Sequence, residues 1–308
     1  MSASATSERF ASARGQGPSG RDAGSGFRRW RGWQRVALLA PVGLFLLAFF
    51  AYPMAKILAL SFSSEASGLS LENYVWFFET SVNIKVLLRT FTTAMIVTLV
   101  CVLVGYPYAY LMTVVGTRWR ALLLILALIP FWTSLMTRNL AWLALLQPSS
   151  TIATITRKLG FGELQLLGTV AGVVVAMSQI LLPFMVLPMY ATLRNIDRRL
   201  LAAAEGLGAR PSVAFVRVYL PLSAPGVVAG SLLVFVLSLG FYLTPAIIGS
   251  PQNSLLSQLI VTQVSRVLNW GHAGAMAMVL LLVTVVLIWL ASLATRRNAA
   301  LTSSGERS

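Results

Sequence analysis

The sequence predicts an all-α integral membrane protein with six transmembrane helices. Three observations carry that prediction. Of 308 residues, 57% are hydrophobic and only 11% are charged, against about 25% charged in soluble domains. Apolar runs recur six times, each at least about 20 residues and so able to cross roughly 30 Å of hydrocarbon. Basic residues gather in alternate connections between those runs, as the positive-inside rule requires.

Residues 1–35 form a tail rich in Ser, Gly, Ala and Arg that ends in Arg28, Arg29, Arg31 and Arg35. It has little apolar surface to bury and is expected to be disordered. Arg28–Arg29 ahead of an apolar run also fits a twin-arginine export signal. The run is too long for a signal peptide, which favours a retained first span and a cytoplasmic N-terminus.

The membrane domain covers 36–294. Span one runs over about 36–60, with Lys56 near its outer end, where it can snorkel. Leu71–Tyr74 and Trp76–Phe78 suggest an amphipathic interfacial piece outside the membrane. Span two covers about 88–114, and Arg118 and Arg120 mark a short inner loop. Span three covers about 121–146 and contains Pro130. An external loop follows over 147–168. Span four covers about 169–192, with Pro183 and Pro188, and the inner loop 193–222 comes next. Span five covers about 225–248, with Thr244–Pro245 expected to break it near its outer end. Span six covers about 272–294, anchored by Arg296–Arg297 at the start of a cytoplasmic tail, 295–308.

Seventeen of the 24 Lys and Arg lie in 1–35, 115–120, 193–222 and 295–308. That excess assigns both termini and the 193–222 loop to the cytoplasm. The net charge of +15 is therefore a topology signal and does not indicate nucleic-acid binding. Cys101 is the single cysteine and sits in an apolar run, where it reads as a small packing residue. His272 is the single histidine and has no neighbouring Cys, Asp or Glu, so no metal site is expected.

The chain carries no recognisable catalytic constellation, and no cofactor is expected. It has no Gly-Lys pair and hence no phosphate-binding P-loop, so ATP-driven transport would need a separate subunit. The spans contain no Asp or Glu, which disfavours a proton- or sodium-coupled carrier. A membrane-embedded enzyme would need paired carboxylates, clustered histidines or an activated serine, none of which is present. Arg138 is the one charge deep in a span. Ser134 and Trp142 lie four residues to either side, and Trp142 could sit over the guanidinium. Two readings stand: Arg138 braces its helix, or it lines a translocation path. Ser231, Phe235, Ser238 and Tyr242 form a stripe on span five, ahead of Thr244, that faces either such a path or a partner helix. Gln179 and Trp132–Thr133 are path candidates of the same kind.

The loop 193–222 contains a short helix. Asp197 is a good N-cap, and Gly208 is the expected stop. Leu200, Ala204 and Leu207 fall at i, i+4 and i+7 and predict a buried side. Ala202, Ala203 and Gly206 leave the other side with almost no bulk. The same segment resembles the EAA loop of ATP-binding-cassette importer permeases. Ala203 and Ala204 match the two alanines of that pattern, Gly208 its glycine, and Leu220–Pro221 the later Leu-Pro. The leading Glu of the pattern falls on Ala202, and Glu205 stands three places later. The resemblance implies a coupling helix, with Leu201, Ala202, Ala203, Ala204, Glu205, Gly208, Ala209, Leu220 and Pro221 as the ATPase-coupling loop.

Longer runs resemble spermidine/putrescine-type permeases, most of all the B-type subunit. They are Pro130–Ser134 with Arg138 and Ala141–Trp142, Leu182–Tyr190 with Leu193–Asp197, and Thr244–Ala246 with Ile248–Gly249 and Asn269–Trp270. The resemblance implies a type I importer fold in a bacterial inner membrane. Its implied partners are two cytoplasmic ATPase subunits, a second permease subunit of the C type, an extracytoplasmic solute-binding protein and membrane lipid. The implied solute is a polyamine. Some relatives carry an acidic residue just after the glycine that matches Gly240; here Phe241 stands there, which leaves a neutral or anionic solute as the alternative.

Overall fold

The computed structural model describes residues 40–64, 68–150, 153–154, 157 and 165–304; at 64 and 291–304 only the backbone is described. The basic tail 1–35 and Lys158 lie outside the described residues, as do the side chains of Arg296 and Arg297. The chain divides into two units, 1–54 and 55–308. The described part of the first is helical and apolar, with Leu44, Phe45 and Phe49 exposed. In water this surface would be costly; in lipid it is the expected face.

Helix α1 is Ala40–Ser61. A two-residue antiparallel ladder follows, β1 (Ser63–Ser64) on β2 (Gly68–Leu69). Next come α2 (Glu72–Glu79), α3 (Ser81–Val114), α4 (Thr117–Trp132) and α5 (Leu135–Leu145). After these lie α6 (Val170–Leu193), α7 (Arg199–Gly206) and α8 (Pro211–Leu239). The chain continues with α9 (Leu243–Ile248), α10 (Leu256–Thr262) and α11 (Trp270–Ser304). Five of the described helices are long and apolar enough to cross a membrane, and α4 with α5 makes a sixth if the pair is one broken span.

The core of the larger unit is the packing of α3, α6 and α8. Val97, Cys101 and Met112 of α3 meet Met177, Leu181, Met185 and Met189 of α6, with Tyr219 and Val234 of α8. Glycines let the backbones approach. A β-carbon on Gly230 would lie 2.7 Å from Met185 Sδ, and one on Gly226 would lie 2.7 Å from Thr192 Cβ. Small residues at helix contacts are the usual membrane solution, because lipid supplies no hydrophobic drive to bring helices together. Cys101 is fully buried and its thiol faces Ser178 O at 3.5 Å.

A second cluster lies under the α2 region, where Phe77, Val86, Leu256, Met276 and Val279 are buried together. Asn73 fixes α2 by donating to Ser61 O at 3.1 Å and Ser63 O at 2.9 Å. The ring of His272 lies flat on Trp76 at 3.6 Å between centroids. The interfacial piece expected from the sequence is thus a helix held down by buried Asn73 and Phe77.

Several boundaries differ from the sequence expectation; the helix of span two begins at Ser81 rather than near 88, and that of span six continues to Ser304. Span three is not one helix: α4 and α5 meet at 99° across Thr133–Ser134. Pro130 has no N–H to donate in the last turn of α4, and Thr133 and Ser134 are extended. Span five breaks at Gly240–Tyr242 rather than at Thr244–Pro245. Pro245 sits in the first turn of α9, where a missing N–H costs nothing. Helical structure also resumes at Pro211, inside the 193–222 loop, and α8 passes through a π-turn at Phe215–Tyr219. Pro221 lies just beyond that turn; lacking an N–H, it cannot make the regular bond to the Arg217 carbonyl.

Candidate functional site

The 193–222 loop leaves α6 at Leu193 and builds α7 from local hydrogen bonds. Asp197 Oδ1 accepts from the Arg199 N–H at 2.9 Å, which is the work expected of an N-cap. The helix itself begins one residue later, after Arg198. At the other end, Gly208 has φ +90°, the left-handed region that glycine enters at least cost. Its N–H bonds to Glu205 O at 2.9 Å, and the Ala209 N–H reaches back to Ala204 O at 3.1 Å. That pair of bonds is a Schellman motif, which satisfies the last carbonyls of α7 and turns the chain sharply.

The buried side of α7 is not the one expected. Leu200 and Leu207 are 47% and 91% exposed, while Leu201 packs on the core cluster and Ala204 is half-buried. Helical spacing fails at Leu207 because the helix has already ended at Gly206. The helix packs against the start of α8, and Leu201 joins the core cluster. Ala202, Ala203, Glu205 and Gly206 are exposed, Ala209 is half-buried, and Leu220 and Pro221 are exposed on α8. The result is a short knob with a small-residue surface flanked by two exposed leucines.

The loop is anchored from behind. Arg198 Nη2 donates to Thr113 O at 2.6 Å and Thr113 Oγ1 at 3.2 Å. Arg120 donates from Nε to Met112 O at 3.2 Å and from Nη2 to Val115 O at 3.4 Å. Both guanidinium groups therefore cap the carbonyl end of α3, where cations are favoured.

Arg138 lines a cavity of about 240 Å³ between the α4–α5 break, α6 and α8. Its neighbours there include Phe131, Phe184, Leu237 and Phe241, and Phe131 meets Phe184 edge-on at 5.0 Å. Arg138 Nε is buried without a hydrogen-bond partner. Trp142 does not cover it; its indole N–H donates to Gln179 Oε1 at 3.3 Å. Arg138 and Trp142 still share a face of α5, four residues apart, and the Arg138 N–H bonds Ser134 O at 3.1 Å; it is the bond to Gln179 on α6 that engages the indole. Trp132 is 89% exposed, and Thr133 Oγ1 donates to Pro130 O at 3.1 Å.

Ser238 and Thr244 are enclosed, 1% and 0% exposed, and Ser238 Oγ donates to Val234 O at 2.7 Å. Phe235 packs with Ala94 and Leu239. Tyr242 stands apart, in a separate cavity of about 490 Å³ with Gln258 and Arg266. The sequence did not single out Phe131, Phe184 or Phe241 as neighbours of Arg138, because they come from three segments far apart in the chain. Their only signal was adjacency to Pro130, Pro183 and Gly240.

A bundle of helices long and apolar enough to cross a membrane, with an exposed small-residue knob on one connecting loop, is the architecture of a membrane transport subunit. The chain belongs to the family of binding-protein-dependent transport system inner membrane components, whose model matches residues 24–299. It is 31% identical over 252 residues to the spermidine/putrescine transport system permease protein PotB of Haemophilus influenzae, covering 79% of this chain and 88% of that one. It is 31% identical over 203 residues to the molybdenum transport system permease protein ModB of Mycobacterium bovis, covering 66% of this chain and 76% of that one. Its fold matches a bacterial ABC transporter involved in import of the acidic polysaccharide alginate, with TM-score 0.70 at 18% identity over 87% of this chain and 96% of that one. The protein is thus a multi-pass inner-membrane permease of the type I importer fold, and ATP hydrolysis is the work of other subunits.

Proposed function

We propose that this chain forms half of the translocation path of an importer and that α7 is the helix on which a cytoplasmic ATPase subunit docks. The observation that carries this reading is the exposure of Leu200 and Leu207 on either side of a nearly bulk-free surface, at the end of a loop tied to α3. Exposed apolar side chains on a polar-flanked loop favour a protein partner. The full assembly has two such ATPases, a second permease of the C type and an extracytoplasmic binding protein. Both termini and the α7 loop are cytoplasmic, as the distribution of Lys and Arg favours.

The solute is spermidine or putrescine, on the strength of the PotB relatives. A second reading, a neutral or anionic solute, is favoured by the Arg138 cavity, whose lining offers a guanidinium and no carboxylate. Co-purification with a nucleotide-hydrolysing subunit tests the first claim; a chain that transports solute without one refutes it. Uptake by the complete system, with labelled spermidine and putrescine set against neutral and anionic solutes, separates the two solutes.

A further inference from the structure

We propose that the pocket where α3 ends and α4 begins binds the phosphate of an anionic phospholipid headgroup. The proposal rests on the cytoplasmic orientation of the α7 loop given above. The pocket has a volume of about 280 Å³ and is lined by Arg120, Arg194 and Arg198 together with Thr113 and Tyr190. That is several times the ~30 Å³ share of one water, so a headgroup phosphate fits.

Three arginines line the pocket, Arg194 and Arg198 exposed and Arg120 half-buried, and no carboxylate lines it to balance them. Arg120 and Arg198 are already oriented by the carbonyls at the end of α3. Those bonds use only part of the five N–H donors each guanidinium carries. Arg194 uses only its backbone N–H, toward Tyr190 O at 3.0 Å, and its side chain has no partner among the described residues. Like charges gathered in one pocket repel unless an anion sits among them. A phosphate suits the task, since its oxygens accept bidentate, charge-assisted bonds from arginine.

The surroundings point to a lipid as the source of that phosphate. Trp119 is 64% exposed at the start of α4, the position aromatic residues take at a membrane interface. Leu122, Ile125 and Ile129 continue from it as an exposed apolar strip at 44%, 58% and 51%. A phosphate seated among the arginines would leave acyl chains to lie along that strip. Basic pockets between spans at the cytoplasmic surface take anionic headgroups in just this way. A carboxylate from a docked ATPase is the competing occupant, but the small-residue surface proposed for that docking is Ala202, Ala203 and Gly206, none of which lines the pocket.

The test uses the full-length chain purified in detergent, with lipid binding followed by native mass spectrometry. Phosphatidylglycerol should bind, and Arg194→Gln should weaken it by about tenfold for the one charge-assisted contact removed. Arg194→Lys should keep most of the binding, and phosphatidylcholine should show no dependence on these changes. Arg194→Gln spares the bonds that cap α3, so its effect is not a folding defect. A combined Arg120→Gln, Arg194→Gln, Arg198→Gln variant should abolish the preference for phosphatidylglycerol. Equal binding by wild type and variants overturns the proposal. Displacement of lipid by millimolar inorganic phosphate reassigns the site to a free anion. Variants that keep the lipid but lose the cognate ATPase reassign it to a protein contact. Binding in detergent is independent of orientation, which is read separately by labelling Ala203→Cys from one side of sealed vesicles.

Discussion

Arg198 of the α7 loop donates through Nη2 to the Thr113 carbonyl at 2.6 Å, so the loop is fastened to the last turn of α3. Any force applied to α7 therefore reaches a core helix through a named bond as well as through the chain. The bond is exposed, and exposed ionic contacts contribute only about 0.2–1 kcal/mol to stability. Its value is in position. Arg198→Ala should leave insertion and thermal stability nearly unchanged while lowering solute uptake per ATP hydrolysed in the complete importer. An unchanged ratio would show that the fastening does not transmit force.

Gly208 ends α7 at φ +90° with open space around its α-carbon. Alanine there meets no atom but pays the left-handed penalty, about 1–2 kcal/mol. Gly208→Ala should therefore fray the end of α7 and reduce coupled uptake. Gly208→Glu adds a charge beside the docking face and should abolish uptake, with normal amounts of protein in the membrane. Full uptake by Gly208→Glu would remove α7 from the docking role.

Gly230 faces Met185 across the α6–α8 contact, and a β-carbon would sit 2.7 Å from its Sδ and 3.0 Å from its carbonyl oxygen. The sulfur can move, but the carbonyl cannot. Gly230→Leu should cost at least the usual overpacking penalty of about 1–3 kcal/mol. Gly240→Ala, with nothing within 4 Å, is the control. Thermal unfolding of the purified chain should fall for the first and stay close to wild type for the second.

Trp142 and Gln179 join the broken third span to α6 through one bond of 3.3 Å. Gln179→Leu strands the indole N–H, and Trp142→Phe strands the amide oxygen. Side-chain bonds between membrane helices average about 0.6 kcal/mol in double-mutant cycles. A cycle on these two positions should return a coupling of that order. Additive effects would mean the bond contributes nothing.

Arg138 gives the sharpest test of solute. Arg138→Gln removes the cation from the cavity with little change in volume. An anionic solute should lose about tenfold in apparent affinity, the worth of one charge-assisted contact. A polyamine should be taken up as well as before or better. The direction of the change separates the two solutes.

Much of the fold was legible in the residues. Apolar runs marked the spans and Gly208 marked the end of α7, because a cap bonds to its immediate neighbours; Asp197 fell one residue before the N-cap, Arg198. The exposed side of α7 was not legible. Leu207 has helical spacing from Leu200 but lies past the last helical residue, so the periodicity pointed to the wrong side. The partner of Trp142 was not legible either: it shares a face of α5 with Arg138, but its indole N–H goes to Gln179 of α6, far away in the chain.

Membrane residence and the stop of α7 follow from the chain alone. Hydropathy sums over contiguous residues, and capping is a matter of a few neighbouring atoms. Which aromatic rings enclose Arg138, where the third span breaks, and why Arg120, Arg194 and Arg198 meet in one pocket do not follow from it. Those depend on close contacts among α3, α4, α6 and α8, segments separated by tens of residues, whose meeting is set by shape at glycine and methionine contacts rather than by any local pattern.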